Sequence, residues 1–321
     1  MKAIEVVEDQ LLWNEHRDPE APRGREVRIR VAAAGVNRAD LVQRAGRYPP
    51  PPGASTILGL EVSGIVEEAG PEASLAVGAT VCALLTGGGY AEQVVVDERC
   101  CLPVPSGVSL IDAAGLCEVW ATAWLNLVVE GRMAKGDRVV VHAGASGVGT
   151  AAVQIARLLG ARSFVTVGSA DKVARCVALG AEGGWNRHDG AWADAVSAWA
   201  GEADLILDPV GAPYLGQAQQ VLATEGRWVL IGLMGGRRAE IDLGRLLVKR
   251  QRLIGSTLRS RSVQAKEEVL QQLQQHVWPA LARGEVQSVI SARLPIHDAG
   301  QAHELLASNE TVGKVLLIPQ R

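Results

Sequence analysis

Residues Asp137–Ala161 read DRVVVHAGASGVGTAAVQIARLLGA. Arg138–His142 is a short apolar run rich in β-branched residues, the pattern of a buried strand. Gly144-Ala145-Ser146-Gly147-Val148-Gly149 follows, and Val148, Ala152, Ile155 and Leu159 then recur at helical spacing. Gly160 stands where a C-terminal cap belongs. Strand, glycine turn and helix open a dinucleotide-binding unit: the glycines allow a sharp turn, a close approach of pyrophosphate and tight helix–strand packing. The first helical turn offers free amides and the positive end of the dipole. Gly144, Ser146, Gly147, Val148 and Gly149 are therefore the candidate phosphate ligands. Ser146 replaces the usual third-position glycine, and the turn alone also fits a strand–helix connection without a ligand. Its place between a strand and an amphipathic helix favours the phosphate site.

Beyond this unit, strands and helices alternate. The pattern predicts strand Ser163–Val167, helices Ala170–Leu179 and Ala191–Trp199, strand Leu205–Leu207, helix Tyr214–Leu222, and strands Trp228–Ile231 and Leu253–Ser256. Such alternation means a mostly parallel sheet covered on both faces. A single helix from Val263 to Ala282, with Leu270, Leu273, Val277 and Leu281 on one face, precedes helix Ala299–Ala307 and strand Gly313–Ile318.

Toward the N-terminus the chain reads as β with glycine punctuation. Strands are expected at Lys2–Val7, Val27–Ala33, Gly59–Glu68, Thr80–Leu85 and Tyr90–Val96, several with period-two alternation. Antiparallel strands of this kind suit a compact barrel. Asn37 stands at a capping position before a short helix, and Gly46-Arg47-Tyr48 runs into the prolines Pro49–Pro52. That stiff loop fixes a phenol in place, either as packing or as a site residue. Two helices, Leu110–Leu116 and Val119–Glu130, lead into the second domain.

The chain of 321 residues suggests two domains. Its 32 Lys+Arg against 35 Asp+Glu give a net charge of −3, which points to no nucleic-acid or membrane partner. Met1 enters a strand-like MKAIEVV, so no signal peptide is expected, and no apolar run reaches spanning length. Five scattered cysteines argue against a disulfide framework and for a reducing, cytoplasmic setting. His142 and Cys117 read as structural.

The segments GVN…AD, GRYPPPP, GLEVSGIV, HAGASGVGTAAVQIA, ILDPVG, RWVLIGLMGG, LRSR and GKVLL occur in this order over nearly the whole chain. Together they resemble the zinc-free, zeta-crystallin-like quinone oxidoreductases of the medium-chain dehydrogenase/reductase superfamily. The resemblance implies an α/β fold, with a doubly wound Rossmann domain (118–262) and a mainly β, GroES-like barrel catalytic domain (1–117 and 263–321). It further implies NADPH, a quinone or similar conjugated-carbonyl acceptor, and a homodimer joined edge to edge near Leu253–Ser256. Zinc-dependent relatives carry Cys where this chain has Asn37, His where it has Leu60, and a third ligand near Cys117-Glu118. The donors left over are too few for a catalytic zinc.

An NAD-preferring unit would place an acid near Gly168 or Ser169. A small residue there leaves room for a 2′-phosphate, with Ser169, Lys172 and Arg187 as ligands; Ser169 also fits a helix cap. Asp171, one turn on, is the competing ribose partner. By resemblance the nicotinamide lies near Thr122, Asp208, Gly211, Gly232, Met234, Leu258 and Arg259, and Lys314 joins the cofactor ligands. Tyr48 hydrogen-bonds the acceptor carbonyl and relays a proton or only positions it; Asn37 orients acceptor or cofactor. An enone or enoyl reductase on the same scaffold, and an NADPH-binding sensor or RNA-binding protein with little turnover, are the alternatives.

Overall fold

The computed structural model describes residues 1–320. The chain opens with a hairpin, β1 (Lys2–Val7) and β2 (Gln10–Glu15), followed by β3 (Glu26–Val36), α1 (Arg38–Arg44) and β4 (Glu61–Ala69). Next come β5 (Thr80–Leu84), β6 (Gln93–Asp97), β7 (Cys101–Pro103) and α2 (Cys117–Trp124), which continues as one π-helical stretch, Leu125–Glu130. The alternating region comprises β8 (Arg138–His142), α3 (Gly147–Leu158), β9 (Arg162–Val167), α4 (Ala170–Leu179) and β10 (Gly183–Asn186). It continues through α5 (Trp192–Ala200), β11 (Ala203–Asp208), α6 (Leu215–Val221), β12 (Leu222–Leu230), α7 (Leu243–Val248) and β13 (Arg252–Gly255). The chain ends with α8 (Val263–His276), α9 (Trp278–Ala282), β14 (Ile290–Pro295), α10 (Ala299–Ala307) and β15 (Lys314–Ile318).

Two units divide the chain: residues 1–121 with 258 onward, and residues 122–257. The second holds a six-stranded sheet ordered β10-β9-β8-β11-β12-β13, parallel at every pairing. The order reverses beside β8, the strand that feeds the glycine turn, and such a switch point is where doubly wound sheets bind ligands. Val139, Val140 and Val141 are fully buried, as a strand covered on both faces requires. The first unit holds a seven-stranded sheet ordered β14-β15-β3-β4-β5-β7, with β6 also paired to β3. Its pairings are antiparallel except β14 with β15. Val27, Ile29, Val62, Val81, Val315 and Leu317 pack its core.

Several expected elements take a different form. The helix drawn from Val263 to Ala282 stops at His276 and restarts at Trp278, because Pro279 enters in the first turn of α9 and has no amide to continue the ladder. Leu110–Leu116 holds only a four-residue 3₁₀ turn, Asp112–Gly115. β12 starts at Leu222, six residues before the expected Trp228, while β6 starts only at Gln93. β2, β7, β10 and β14 have no counterpart in the sequence reading; in β10 the pair Gly183-Gly184 conceals the strand signal.

His142 and His303 are both buried. His142 Nδ1 meets Thr166 Oγ1 at 2.8 Å, and its ring stands edge-on to Trp192 and Tyr214. Burial lowers its pKa to about 3. Below the ordinary value near 6.5 the unfolded chain takes up a proton that the folded chain refuses, so this contribution to stability is lost as pH falls. Between pH 7 and pH 4 the wild type should lose about 3 kcal/mol more stability than His142→Phe, read from urea unfolding at the two pH values.

Candidate functional site

The second unit presents its glycine turn at the end of β8. Ala143 takes a left-handed backbone, φ 52°, directly before the turn. A Cβ on Gly144 would stand 2.5 Å from Val165 Cβ, and one on Gly149 would stand 2.5 Å from the carbonyl oxygens of Ala143 and Gly144. Both positions therefore require glycine. Ser146 caps α3: its Oγ accepts from Gly149 N at 3.1 Å. The amides of Gly147 and Val148 open the helix and have no intrahelical acceptor, which is the arrangement an anion uses.

At the next strand end, Ser169 Oγ accepts from Lys172 N at 3.3 Å, so Ser169 caps α4. The Arg187 amide donates to the Val167 carbonyl at 2.8 Å, which brings the residue after β10 alongside the end of β9. A Cβ on Gly168 would lie 3.8 Å from Arg187 Nε. Gly168, Ser169, Lys172 and Arg187 thus share one corner, with a small residue at its floor. Asp171 is exposed in the first turn of α4.

The Asp208–Gly211 turn closes on itself. Asp208 accepts from Val210 N (2.5 Å), Gly211 N (3.1 Å) and Trp228 Nε1 (3.0 Å), and burial raises its pKa to about 6. Gly232 packs where a Cβ would meet the Pro209 carbonyl at 2.9 Å, and Met234 N donates to that same oxygen. The Leu233 and Met234 side chains are half exposed. Thr122 lies on α2 and its carbonyl accepts from Asn126 Nδ2 at 2.7 Å. These strand-end turns, glycine floors and capped helix starts fit a bound dinucleotide.

In the first unit, Asn37, Glu61 and Lys314 form a closed, buried group. Lys314 Nζ donates to the Val36 carbonyl (2.6 Å), Asn37 Oδ1 (2.7 Å) and Glu61 Oε1 (2.8 Å). An ammonium has three donors, and these three partners take all of them. The Asn37 amide nitrogen donates to Gly35 O and Glu61 Oε1. Glu61 Oε2 accepts from Glu118 N at 2.9 Å, at the start of α2. Glu118 itself is raised to about 8 by burial and by the Glu61 carboxylate beside it.

A second chain of contacts runs through Asp40. Its oxygens accept from Asn37 N, Gly59 N and the Tyr90 hydroxyl, while burial raises it to about 6. The Tyr90 hydroxyl meets His303 Nε2 at 3.2 Å, and burial lowers that imidazole to about 4. A neutral His303 donating through Nε2 satisfies the geometry.

Tyr48 is half buried. Arg259 Cζ lies 5.1 Å from its ring centroid. Arg259 donates to Thr86 O (2.8 Å), Tyr48 O (3.4 Å) and Gln43 Oε1 (2.7 Å), and Leu258 beside it is buried. Burial raises the Tyr48 phenol and the guanidinium pulls it back. Glu61, Asp40, Gln43 and Glu118 escape the sequence reading as site residues. Glu61 leaves one signal, a lone acid inside the apolar GLEVSGIV run. Among the described residues no group of three or more His, Cys, Asp or Glu is arranged to hold a metal ion.

Comparison with known proteins agrees with this geometry. Residues 23–106 match the alcohol dehydrogenase GroES-like domain and residues 147–275 the family described as zinc-binding dehydrogenase. The quinone oxidoreductase of Rattus norvegicus is 30% identical over 93% of this chain and 90% of its own length. The chain belongs to the quinone oxidoreductase-like group of the medium-chain dehydrogenase/reductase superfamily. A phenolphthiocerol/phthiocerol polyketide synthase of Mycobacterium tuberculosis is likewise 30% identical over 93% of the chain, which spans only 14% of that much longer protein. Among solved structures, the Thermus thermophilus quinone oxidoreductase, also determined with NADPH, superposes with a TM-score of 0.85 at 31% identity, covering 99% of this chain and 100% of that one. The CurK enoyl reductase reaches 0.86 at 26% identity, with 99% of each chain covered.

Lys314→Met leaves the Glu61 carboxylate buried without its cation and should cost about 3–5 kcal/mol of stability. Adding Glu61→Gln removes the orphaned charge and should recover more than half of that loss. Chemical denaturation of the single and double variants checks both outcomes.

Proposed function

We propose that this chain is an NADPH-dependent oxidoreductase that reduces a quinone or similar conjugated carbonyl without a metal ion. The corner formed by Gly168, Ser169, Lys172 and Arg187 carries the cofactor reading. A carboxylate on residue 168 would repel a 2′-phosphate; glycine leaves space there, and Arg187 and Lys172 supply charge. The amides of Gly147 and Val148 hold the pyrophosphate.

Bound NADPH supplies a hydride. The chain's own residues place the acceptor and balance its charge. The Tyr48 hydroxyl hydrogen-bonds the acceptor oxygen as negative charge develops there. Arg259 fixes Tyr48 by its backbone carbonyl and its ring. Glu61 and Lys314 cancel each other's charge, and with Asn37 they hold the start of α2. An acceptor that is already electrophilic needs alignment more than acid catalysis, so the reaction requires no Lewis acid. The kinship with CurK supports a second reading, reduction of an enone or enoyl thioester on the same residues. A quinone panel run beside an enone panel, followed by loss of nicotinamide absorbance, separates the two; no oxidation with either sinks both.

The proposal extends to a homodimer. Among the described residues β13 ends its sheet with an unpaired edge, and Leu243, Leu247, Val248 and Leu253 around it are exposed by 66%, 76%, 73% and 47%. A second copy adding its own β13 would pair the edge and cover these side chains.

Lys172→Ala and Arg187→Ala should each weaken NADPH by about 10- to 100-fold, the worth of one charge-assisted contact, and leave NADH within about twofold, measured by fluorescence titration. Equal losses for both cofactors would put the phosphate elsewhere. Leu247→Asp combined with Val248→Asp should sediment as a monomer, whereas wild type sediments as a dimer.

A further inference from the structure

Two cations of the first unit are buried without a direct ion pair. Arg259 and Lys266 are each 3% exposed. Arg259 gives its hydrogen bonds to two backbone carbonyls and one amide oxygen. Lys266 Nζ has a single hydrogen bond, to Thr86 Oγ1 at 3.4 Å. Among the described residues neither forms an ion pair. Elsewhere the chain matches its buried charge with care, as Lys314 with Glu61 shows.

The two cations converge on one residue: Arg259 takes the Thr86 carbonyl and Lys266 the Thr86 hydroxyl. Thr86 leads into Gly87, where a Cβ would stand 2.6 Å from the Ser55 carbonyl, so the loop backbone is pressed into a fixed position. Tyr48 lies under the guanidinium. The ionisable groups facing Lys266 are Cys100, Glu118 and Arg259; those facing Arg259 are Tyr48, Asp40 and Glu118. Glu118, raised to about 8, is neutral at pH 7, and Cys100, raised to about 11, is a thiol. Asp40 accepts its hydrogen bonds from Asn37, Gly59 and Tyr90 and, among the described residues, makes no direct contact with either cation. Lys266 shares the buried face of α8 with Val269, Leu270 and Leu273. Burying an ammonium and a guanidinium together is expensive unless an anion joins them.

We propose that Arg259 and Lys266, gathered on Thr86 beside Tyr48, form an anion subsite that takes the carboxylate or sulfonate of an acidic conjugated carbonyl. This rests on the reading of the first unit as the acceptor site and gives that acceptor a class: aromatic or conjugated, with an anionic substituent. The anion satisfies the two cations while the carbonyl meets the Tyr48 hydroxyl.

The test is calorimetric and needs no turnover. The cofactor-free full-length protein is titrated at pH 7 with naphthalene-2-sulfonate and with its uncharged analogue naphthalene-2-methanol. Wild type should bind the sulfonate at least tenfold more tightly. Lys266→Met should bring the two probes within about threefold, and Lys266→Arg should retain the preference. Thermal melting of Lys266→Met should match or exceed wild type, because the variant removes an uncompensated buried charge. Equal binding of the two probes by wild type, or an undiminished preference in Lys266→Met, overturns the subsite. Should NADPH oxidation fail with every quinone and enone while the sulfonate preference holds, the enzymatic reading falls and the anion subsite stands. Turnover without the preference sinks the subsite alone.

Discussion

The contact on which the first unit depends is the ion pair of Lys314 and Glu61, 2.8 Å apart and inaccessible to water. Taking two charges out of water costs several kcal/mol each, and only mutual attraction with saturated hydrogen bonding returns it. Lys314 is saturated by Val36 O, Asn37 Oδ1 and Glu61 Oε1, and Glu61 in turn accepts from Asn37 and from the amide of Glu118. The pair ties together β3, β4, β15 and the start of α2. The Asn37 side chain is part of this network, donating to Gly35 O and Glu61 Oε1 and accepting from Lys314.

The second unit solves a different problem with backbone. Its parallel sheet buries β8 on both faces and reverses order beside it, and the turns after β8, β11 and β12 carry glycines (Gly144, Gly149, Gly211, Gly232) where a Cβ would stand under 3 Å from its neighbours. Those turns offer amides and carbonyls at fixed positions. Asp208 shows the cost of that fixity: burial raises its pKa to about 6 although two turn amides and the Trp228 indole donate to it and pull it back.

Much of this was legible in the sequence because it is periodic or punctuated. Ser169 fitted a helix cap, and α4 runs over Ala170–Leu179, the span its pattern predicts. The valines of β8 announced a strand covered on both faces. The failures have physical causes. β10 carries two glycines and no alternation, and Val277 continues the apolar stripe of α8 although Pro279 ends the hydrogen-bond ladder there. The polar core was the least legible part. Glu61, Asp40, Gln43 and Lys266 are separated along the chain, and only the sheet registers of β3, β4 and β15 and the return of α8 bring them near their partners. Lys266 did leave a trace, a charged residue four and seven positions before Leu270 and Leu273 on an otherwise apolar helix face.

The account's central claim is that this site works by placement and by charge that the chain itself provides. The most direct measurement is metal content set against turnover. Protein purified without chelator, and a portion dialysed against EDTA, are each assayed for zinc by plasma mass spectrometry and for NADPH oxidation with a quinone. The account predicts far less than one zinc per chain in both, and rates that agree within error. One zinc per chain, lost together with turnover on dialysis and restored with it on adding zinc, would contradict it.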